Sequence, residues 1–341
     1  MFSRGLSLRP NYAIQIRNLP ADRLEALVDE WLTYRQREYH SHERWSGPGD
    51  MGRDVVGYVT PARHEGEWDN FQCKQLGKTL TELPLLLELA KIFMHSSNGA
   101  FRLPRAFYFV APTGIGRDAK SLLAHPSRLR QACIDRWDSD LAKKLVENAT
   151  VPLAPAIRST IGQFNFTRVY GLDSIVLEND PSMLPVLVKW FGADPGEAPR
   201  GKTPDEFDAR EARYISQLVQ IYSTQAGTTF ADAREVLQDT KWAANLRLQR
   251  TRFFEAAEFE RFYRDSTPPE FLVNFREDIH SGVVDAYHDD QHKNEFDRLN
   301  KVMGQAATIQ VSGVLAKYAR VPVKQGTCHH LANDGSMPWT A

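Results

Sequence analysis

Residues 49–59 read Gly49-Asp50-Met51-Gly52-Arg53-Asp54-Val55-Val56-Gly57-Tyr58-Val59, and after a turn residues 68–75 read Trp68-Asp69-Asn70-Phe71-Gln72-Cys73-Lys74-Gln75. The first segment contains a short apolar run, Val55 to Val59, and we interpret both segments as short β-strands. Because side chains alternate between the two faces of a strand, Gln72 and Lys74 project together. If residues 55–59 form a strand that pairs beside this one, Asp54 reaches the same point. The glycines at positions 47, 49, 52 and 57 allow the backbone to turn tightly there.

This grouping suits a magnesium-dependent phosphodiesterase. Mg²⁺, or Mn²⁺ in its place, takes hard oxygen ligands and keeps several waters, one of which can attack a phosphate. Asp54 supplies a charged ligand, Gln72 a neutral carbonyl oxygen, and the main-chain carbonyl of Cys73 a third. Lys74 would stabilise the negative charge that builds on the phosphate and orient the attacking water. The simpler alternative is a surface turn followed by a half-buried strand.

The flanking sequence predicts an alternation of helices and strands. Residues 22–39 and a segment that begins after Thr81 carry apolar stripes at helical spacing. The stripes consist of Leu24, Leu27, Val28, Trp31 and Leu32 in the first segment and Leu85, Leu86, Leu89, Ile92 and Phe93 in the second. Residues 106–110 predict a buried strand, and residues 118–124 a helix. The order is therefore helix, strand, strand, helix, strand, helix.

This order, together with Asp54 and the Gln72-Cys73-Lys74 segment, resembles the PD-(D/E)xK nuclease superfamily and in particular its Mrr-like branch with a D…QxK site. The resemblance covers about the first third of the chain. It implies a restriction-endonuclease-like α/β domain, with a mixed central sheet flanked by helices. It also implies that a carboxylate on the first helix assists metal binding, which gives this role to Glu25, with Glu30 and Glu38 as rivals.

The end of the chain carries a second resemblance. The segment Gly326-Thr327-Cys328-His329-His330-Leu331-Ala332-Asn333-Asp334-Gly335, with Trp339, is similar to the C-terminal signature of ABC three-component defence proteins. Those systems pair an effector with an SMC-like ATPase and a small middle subunit. An effector with such a nuclease in front resembles the nuclease subunit of a Lamassu anti-phage system, which implies double-stranded DNA as the substrate and an SMC-like ATPase partner that keeps the nuclease inactive until triggered.

The length of 341 residues predicts two domains. We expect an α+β chain, in which residues 1–191 form the nuclease-like domain, residues 192–207 a flexible linker rich in Gly and Pro, and residues 208–341 an all-α domain for assembly and partner docking. Helical patterns cover residues 208–225, 230–264, 270–288 and 292–320, whereas residues 163–169 alternate like a strand and residues 184–191 read as a helix.

Charge and composition limit the other classes of function. Residues 1–191 hold 24 Lys and Arg against 21 Asp and Glu, a net charge of +3, and the remaining residues hold 18 against 22, a net charge of −4. DNA affinity would therefore come from local patches, of which Arg128, Arg130, Arg136, Lys143 and Lys144 are candidates or, equally, a solvated helix face. No apolar run is long enough to cross a membrane, and three cysteines without zinc or disulfide spacing indicate the cytoplasm.

Two interpretations of the tail and of the whole chain remain open. We expect the Cys328-His329-His330 segment to be a loop, and Trp339 to be an anchor that docks on the partner; the rival is that Trp339 packs into its own domain. For the chain, we expect a metal-dependent DNA endonuclease that self-associates into a dimer or tetramer when active, because a double-strand break needs two active sites. The alternative is a non-catalytic DNA-binding or assembly subunit with a nuclease-like scaffold.

Overall fold

The computed structural model describes residues 11–45, 47 and 49–340. It divides the chain into two compact units, Met1–Ala193 and Asp194–Ala341, which are described separately below. The first unit combines a mixed sheet with helices and the second is helical. The α+β fold class expected from the sequence is therefore confirmed.

A five-stranded sheet organises the first unit. In spatial order the strands are β1 (Ser41–Arg44), β2 (Val55–Tyr58), β3 (Trp68–Cys73), β4 (Ala106–Val110) and β5 (Val169–Leu172). β1 pairs with β2 and β2 with β3 in antiparallel ladders, whereas β3 pairs with β4 and β4 with β5 in parallel ones. Every residue of β2 and β3 is buried, including the polar Asp69, Asn70 and Gln72 of β3.

Within the described residues, eight α-helices surround or flank this sheet. They are α1 (Tyr12–Arg17), α2 (Ala21–Thr33), α3 (Glu82–Ser97), α4 (Arg117–Leu123), α5 (Pro126–Asp135), α6 (Pro155–Gln163), α7 (Ser174–Glu178) and α8 (Leu184–Phe191). The predicted apolar stripes of α2 and α3 are buried throughout, and Pro84 lies in the first turn of α3, where its missing N–H has no helical acceptor to lose. The predicted helix over residues 184–191 is confirmed.

Three local predictions for this unit were wrong. The helix expected over residues 22–39 ends at Thr33, because the chain then turns to bring the Tyr39 hydroxyl to Asp69 Oδ2 at 2.8 Å. Strand β1 lies in a segment for which no strand was predicted. The strand expected at residues 163–169 begins only at Val169: Asn165 caps a 3₁₀ turn by accepting from the Thr167 N–H, and Phe164 and Phe166 both pack against Phe93 instead of alternating.

The second unit consists of six helices and connecting turns. The helices are α9 (Ala212–Ala226), α10 (Ala233–Val236), α11 (Ala243–Ser266), α12 (Pro269–His288), α13 (Glu295–Thr308) and α14 (Val321–Asp334). The long helix expected over residues 230–264 is divided, because the Asp239 carboxylate accepts the N–H groups of Lys241 and Trp242 and starts α11 anew. Residues 292–320 likewise hold α13 and a separate 3₁₀ turn, Val314–Tyr318.

The end of the chain differs most from its prediction. The Cys328-His329-His330 segment is not a loop but the middle of α14, and both Cys328 and His329 are fully buried. Gly326 does not mark a turn; a Cβ there would lie 1.9 Å from the Arg252 carbonyl oxygen, so glycine permits α14 to approach the α11 backbone. Trp339 is also fully buried and its main-chain N–H donates to Gln217. The interpretation of Trp339 as a docking anchor was therefore wrong.

Residues 194–207, which we call the strap, have no regular secondary structure, as expected for part of the predicted linker, but they pack on the helices of the second unit. The Gly196 carbonyl accepts from the Tyr263 hydroxyl at 2.8 Å. The carbonyls of Pro204 and Glu206 accept from Arg250 Nη2 at 3.0 and 2.9 Å. A free, flexible connector would not make these contacts. In the part of the chain that is described, no helix is both long and apolar enough to span a membrane.

Candidate functional site

The register of β2 against β3 brings the predicted site residues together. Val55 pairs with Phe71 in this antiparallel ladder, so Asp54 lies opposite Gln72. The Gln72 amide Nε2 donates to Asp54 Oδ2 at 2.6 Å, and the Cys73 main-chain N–H donates to the same oxygen at 2.7 Å. Asp54 and Gln72 are only 6% and 2% exposed. The carboxylate is therefore fixed to β3 by two hydrogen bonds.

The glycine-rich segment before β2 supplies the turn that carries Asp54. Gly49 and Gly52 have φ angles of +98° and +84°, in the left-handed region that glycine adopts without strain. The Gly52 carbonyl accepts from Asn70 Nδ2 at 3.0 Å, which joins the turn to β3. Gly57 was predicted to help form the turn, but it lies inside β2. A Cβ there would lie 2.7 Å from the Tyr39 ring, so the position needs glycine for close packing.

Two buried amide oxygens of β3 at this site, those of Asn70 and Gln72, have no hydrogen-bond partner among the described residues. Gln72 uses its amide N–H on Asp54, whereas its carbonyl Oε1 is buried and accepts no hydrogen bond from the residues described. A buried acceptor without a donor destabilises a fold by about 1–3 kcal/mol, so such atoms need an explanation. An amide oxygen beside a carboxylate is a donor pair that fits a hard divalent cation.

The electrostatics of Asp54 are those of a carboxylate removed from water. Burial, with smaller contributions from the charges of Glu25 and Asp50, raises the pKa of Asp54 to about 7 against the opposing effects of Lys74 and the Cys73 N–H. An anion in this position gains more from a nearby cation than a solvated carboxylate does. Asp54 is thus the negative centre of the site.

Lys74 follows β3 directly and lies close enough for its charge to act on Asp54. Its ammonium group does not bond to Asp54 in the structure. It donates to Glu88 Oε1 on α3 at 2.8 Å, and Lys91 donates to both oxygens of Glu88 at 3.1 Å. The lysine that the sequence predicts is therefore held in place by a glutamate that the sequence analysis did not single out.

Of the three helical carboxylates considered, Glu25 fits the site best. Its charge is among those that raise the pKa of Asp54 and of the Cys73 thiol, and Arg44 Nη2 lies 3.3 Å from Glu25 Oε2. Glu30 is engaged elsewhere, with Lys189 at 2.6 Å and with the Trp190 indole at 2.7 Å. Glu38 is paired with Arg35.

The donor set of the site is oxygen-rich but contains few acids. Asp54, the Gln72 amide oxygen and Glu25 are the candidate ligands, while the group of Cys73 placed against Asp54 is its N–H, so the Cys73 carbonyl stays a predicted ligand. Among the described residues there is no group of three or more His, Cys, Asp or Glu side chains placed to hold a metal. The set fits Mg²⁺ or Mn²⁺ only with its amide oxygen and water included, which is the ligand type those ions prefer.

The basic residues proposed for DNA contact are mostly solvent-exposed, namely Arg128, Arg130, Lys143 and Lys144. Arg136 is instead engaged with Glu82 at 3.1 Å and with Asp140 at 2.8 Å. Exposed ion pairs of this kind contribute little to stability, so Arg136 can exchange partners at small cost. The candidates therefore remain compatible with either a DNA contact or a solvated surface.

Two further residues at the site were missed. Glu88 interrupts the leucine-rich run of α3, and a lone acid in such a run was the available signal. Arg53, directly before Asp54, is 3% exposed and lies between the Trp45 and Phe101 rings, 4.3 and 4.6 Å from their centroids. Its guanidinium also contacts His64 at 2.7 Å, and burial lowers the pKa of His64 to about 4. Arg53 thus anchors the turn that carries Asp54.

Comparison with known proteins gives information on the second unit. No curated protein and no solved structure shows a significant match to this chain. Residues 211–339 match the family model of C-terminal domain 6 of the ABC-three component (ABC-3C) systems. This region comprises nearly the whole of the helical unit, from the start of α9 to the buried Trp339. The match places the protein in an ABC-three component system.

Proposed function

We propose that the chain is a metal-dependent endonuclease that hydrolyses double-stranded DNA as the effector of an ABC-three component defence complex. The observation that carries this proposal is the buried Gln72 carbonyl without a hydrogen-bond donor, adjacent to Asp54 and near Lys74. The strand register brings all three to one end of the β2–β3 pair. Their arrangement supports the D…QxK nuclease resemblance noted in the sequence.

The proposed mechanism assigns a separate task to each side chain. A bound Mg²⁺ or Mn²⁺ would supply an activated water and offset phosphate charge. Asp54 and Gln72 would hold the cation through their oxygens, with Glu25 assisting from α2. The Lys74 ammonium stabilises the negative charge that develops on the phosphate and helps to orient the attacking water, because a fixed positive charge acts strongly at a partly buried site.

Regulation and assembly are part of the same proposal. Membership of an ABC-three component system supports the presence of partner subunits. We propose a Lamassu-type arrangement in the cytoplasm, in which an SMC-like ATPase and a small middle subunit hold the nuclease inactive. Release followed by association into a dimer or tetramer would place two active sites on opposite strands.

A cleavage assay tests the catalytic proposal. The purified chain is incubated with supercoiled and linear plasmid in Mg²⁺, in Mn²⁺ and in EDTA, and light scattering records its oligomeric state under the same conditions. We expect nicking and linearisation that require the metal and increase with self-association. Absence of cleavage by assembled protein in both metals would exclude the endonuclease, and full activity of a strict monomer would exclude the proposed assembly.

A non-catalytic DNA-binding subunit is the second candidate. The ion pairing of Lys74 with Glu88, and the small number of acids at the site, favour it. A scaffold of this type would bind duplex DNA without metal and without cleavage. Its affinity would also be unchanged by Asp54→Asn, whereas the nuclease requires Asp54 for metal binding and for cleavage.

A further inference from the structure

Glu88 is a buried acid on an otherwise apolar helix face. It is 4% exposed, and the neighbouring α3 residues Leu85, Leu89 and Ile92 are fully buried core residues. An unpaired carboxylate in such surroundings would be strongly unfavourable, so its retention depends on its partners. Those partners are Lys74, from the end of β3, and Lys91, one turn further along α3.

The same part of α3 contacts the turn that carries Asp54. A Cβ on Gly52 would lie 3.2 Å from Lys91 Cβ, so the turn packs closely on the helix at this residue. The Gly52 carbonyl is bonded to Asn70 of β3. The turn before β2, the end of β3 and α3 therefore meet at the Glu88–Lys91 pair, and displacement of one element changes the relation of Lys74 to Asp54.

We propose that Glu88 is a positioning residue for the nuclease reaction: it holds the Lys74 ammonium beside Asp54 without letting the two pair. This inference rests on the proposed function. The four-carbon side chain of lysine has many rotamers, and a nearby carboxylate that is free to accept an ion pair would capture it. By occupying Lys74, Glu88 leaves the Asp54 oxygens to the cation and fixes the ammonium on the side where the phosphate must lie.

Three substitutions at one position test this role. Glu88→Ala removes the acceptor, Glu88→Gln keeps the shape and one acceptor oxygen, and Glu88→Asp keeps the charge on a shorter side chain. We expect kcat for plasmid cleavage to fall about 100-fold in Glu88→Ala, since misplacement by about 1 Å produces losses of this order. Glu88→Gln should lose about 10-fold, with KM for DNA unchanged in both. Lys120→Ala, at an exposed position of α4, is the matched control and should cleave normally.

A spectroscopic measurement separates positioning from general stability. In ¹⁵N-labelled protein, an ammonium group held by a buried carboxylate exchanges its protons slowly and gives its own resonance, which Lys74→Ala would assign. We expect this resonance to be present in the wild type, weakened in Glu88→Gln and absent in Glu88→Ala, at unchanged circular dichroism. If Glu88→Ala does not fold, the isosteric Glu88→Gln decides.

The outcomes distinguish this inference from the function on which it rests. Cleavage by the wild type together with full kcat in both Glu88→Gln and Glu88→Ala overturns the positioning role and leaves the nuclease intact. If the wild type does not cleave in any metal, the proposed function fails, and an unchanged Lys74 resonance in Glu88→Gln then overturns the positioning role as well.

Discussion

Two buried glutamines, one in each unit, are used in opposite ways. Gln249 on α11 is 1% exposed, and its carbonyl accepts from Arg252 at 2.8 Å and is bonded to His329 Nε2 at 2.9 Å, while its amide donates to Asn245 at 3.1 Å. Gln72 on β3 is 2% exposed, and its carbonyl accepts nothing from the residues described. Gln249 therefore lies in a network of hydrogen bonds, whereas the Gln72 carbonyl oxygen has no donor.

The network around Gln249 also determines the protonation state of His329. The Trp339 indole N–H can only donate, and it donates to His329 Nδ1 at 3.1 Å, so Nδ1 must accept and His329 must donate to Gln249 through Nε2. His329 is therefore neutral. A network in which every group has a partner makes a core specific and rigid. Gln249 thus serves the structure of the helical unit, whereas the Gln72 carbonyl oxygen is available to a ligand.

The largest expected effect concerns the proposed site around Gln72. Lys74→Ala and Asp54→Asn should each reduce plasmid cleavage about 1,000-fold, because each removes charge stabilisation or a metal ligand from a partly buried site. Lys74→Ala should still fold, because Lys91 continues to pair with Glu88, but at a lower unfolding temperature. Gel assays in Mg²⁺ with Lys120→Ala as the control measure the loss, and cleavage by folded Lys74→Ala at the wild-type rate would refute the assignment.

The second prediction tests the close packing of the helical unit. Gly326→Ala places a methyl group against the Arg252 carbonyl and should destabilise the protein by about 3 kcal/mol, since α11 and α14 must separate. Gly304→Ala on α13 is the matched control, because a Cβ there meets nothing within 4 Å. It should stabilise the helix by about 0.5–1 kcal/mol. Urea unfolding followed by circular dichroism compares the two; equal effects would contradict the close approach of α11 and α14.

The third prediction compares the two glutamines directly. Gln249→Met leaves the N–H groups of His329 and Arg252 without an acceptor and should destabilise the protein by about 2 kcal/mol. Gln72→Met removes an unsatisfied carbonyl as well as a donor to Asp54, so its effect should be within about 1 kcal/mol. Isothermal titration should show that Mg²⁺ binding is lost in Gln72→Met and kept in Gln249→Met. The reverse pattern would invalidate the comparison.

The smallest effect is a pH dependence in the helical unit. Burial, with help from Arg252 and His330, holds the pKa of His329 well below its usual value. In the unfolded chain His329 takes up a proton near pH 6.5, whereas in the folded protein it stays neutral to lower pH. The contribution of the neutral His329 to the free energy of unfolding is therefore complete above pH 6.5 and decreases as the pH falls below it. We expect a loss of about 1 kcal/mol between pH 6.5 and 5.5.

His329→Gln should reduce this slope, to which His64 also contributes, whereas His288→Gln, at an exposed position, should preserve it. Urea unfolding of both variants and the wild type at pH 7.5, 6.5 and 5.5 provides the measurement. An unchanged slope in His329→Gln would show that His329 is not the group responsible.

The sequence was most informative where short-range pattern and burial coincide. The strands β2 and β3 and the apolar faces of α2 and α3 follow from alternation and helical spacing, and the shared direction of Gln72 and Lys74 follows from strand geometry alone. The pairing of Asp54 with Gln72 needed one assumption, that the two strands are neighbours. The structure bears this out.

The remaining features depend on contacts between distant parts of the chain. Glu88 meets Lys74 only because α3 packs beside the end of β3. Gly326 and Asn333 suggested a loop, but the glycine is selected by the Arg252 backbone and Asn333 accepts from the Tyr214 N–H. β1 reads Ser-His-Glu-Arg, a polar edge strand without an apolar pattern. No local rule identifies these roles, because the partner residues lie 14 to 119 positions away.

The strap determines where the helical unit can be joined to a different N-terminal domain. Arg250 is 4% exposed and depends on the Pro204 and Glu206 carbonyls as well as on Glu211. A fusion joint at residue 211, where the family match begins, would deprive the guanidinium of both carbonyls. A joint after Ala193 would retain them, together with the Tyr263–Gly196 bond. We therefore expect a stable fusion of the helical unit to another domain to require the strap.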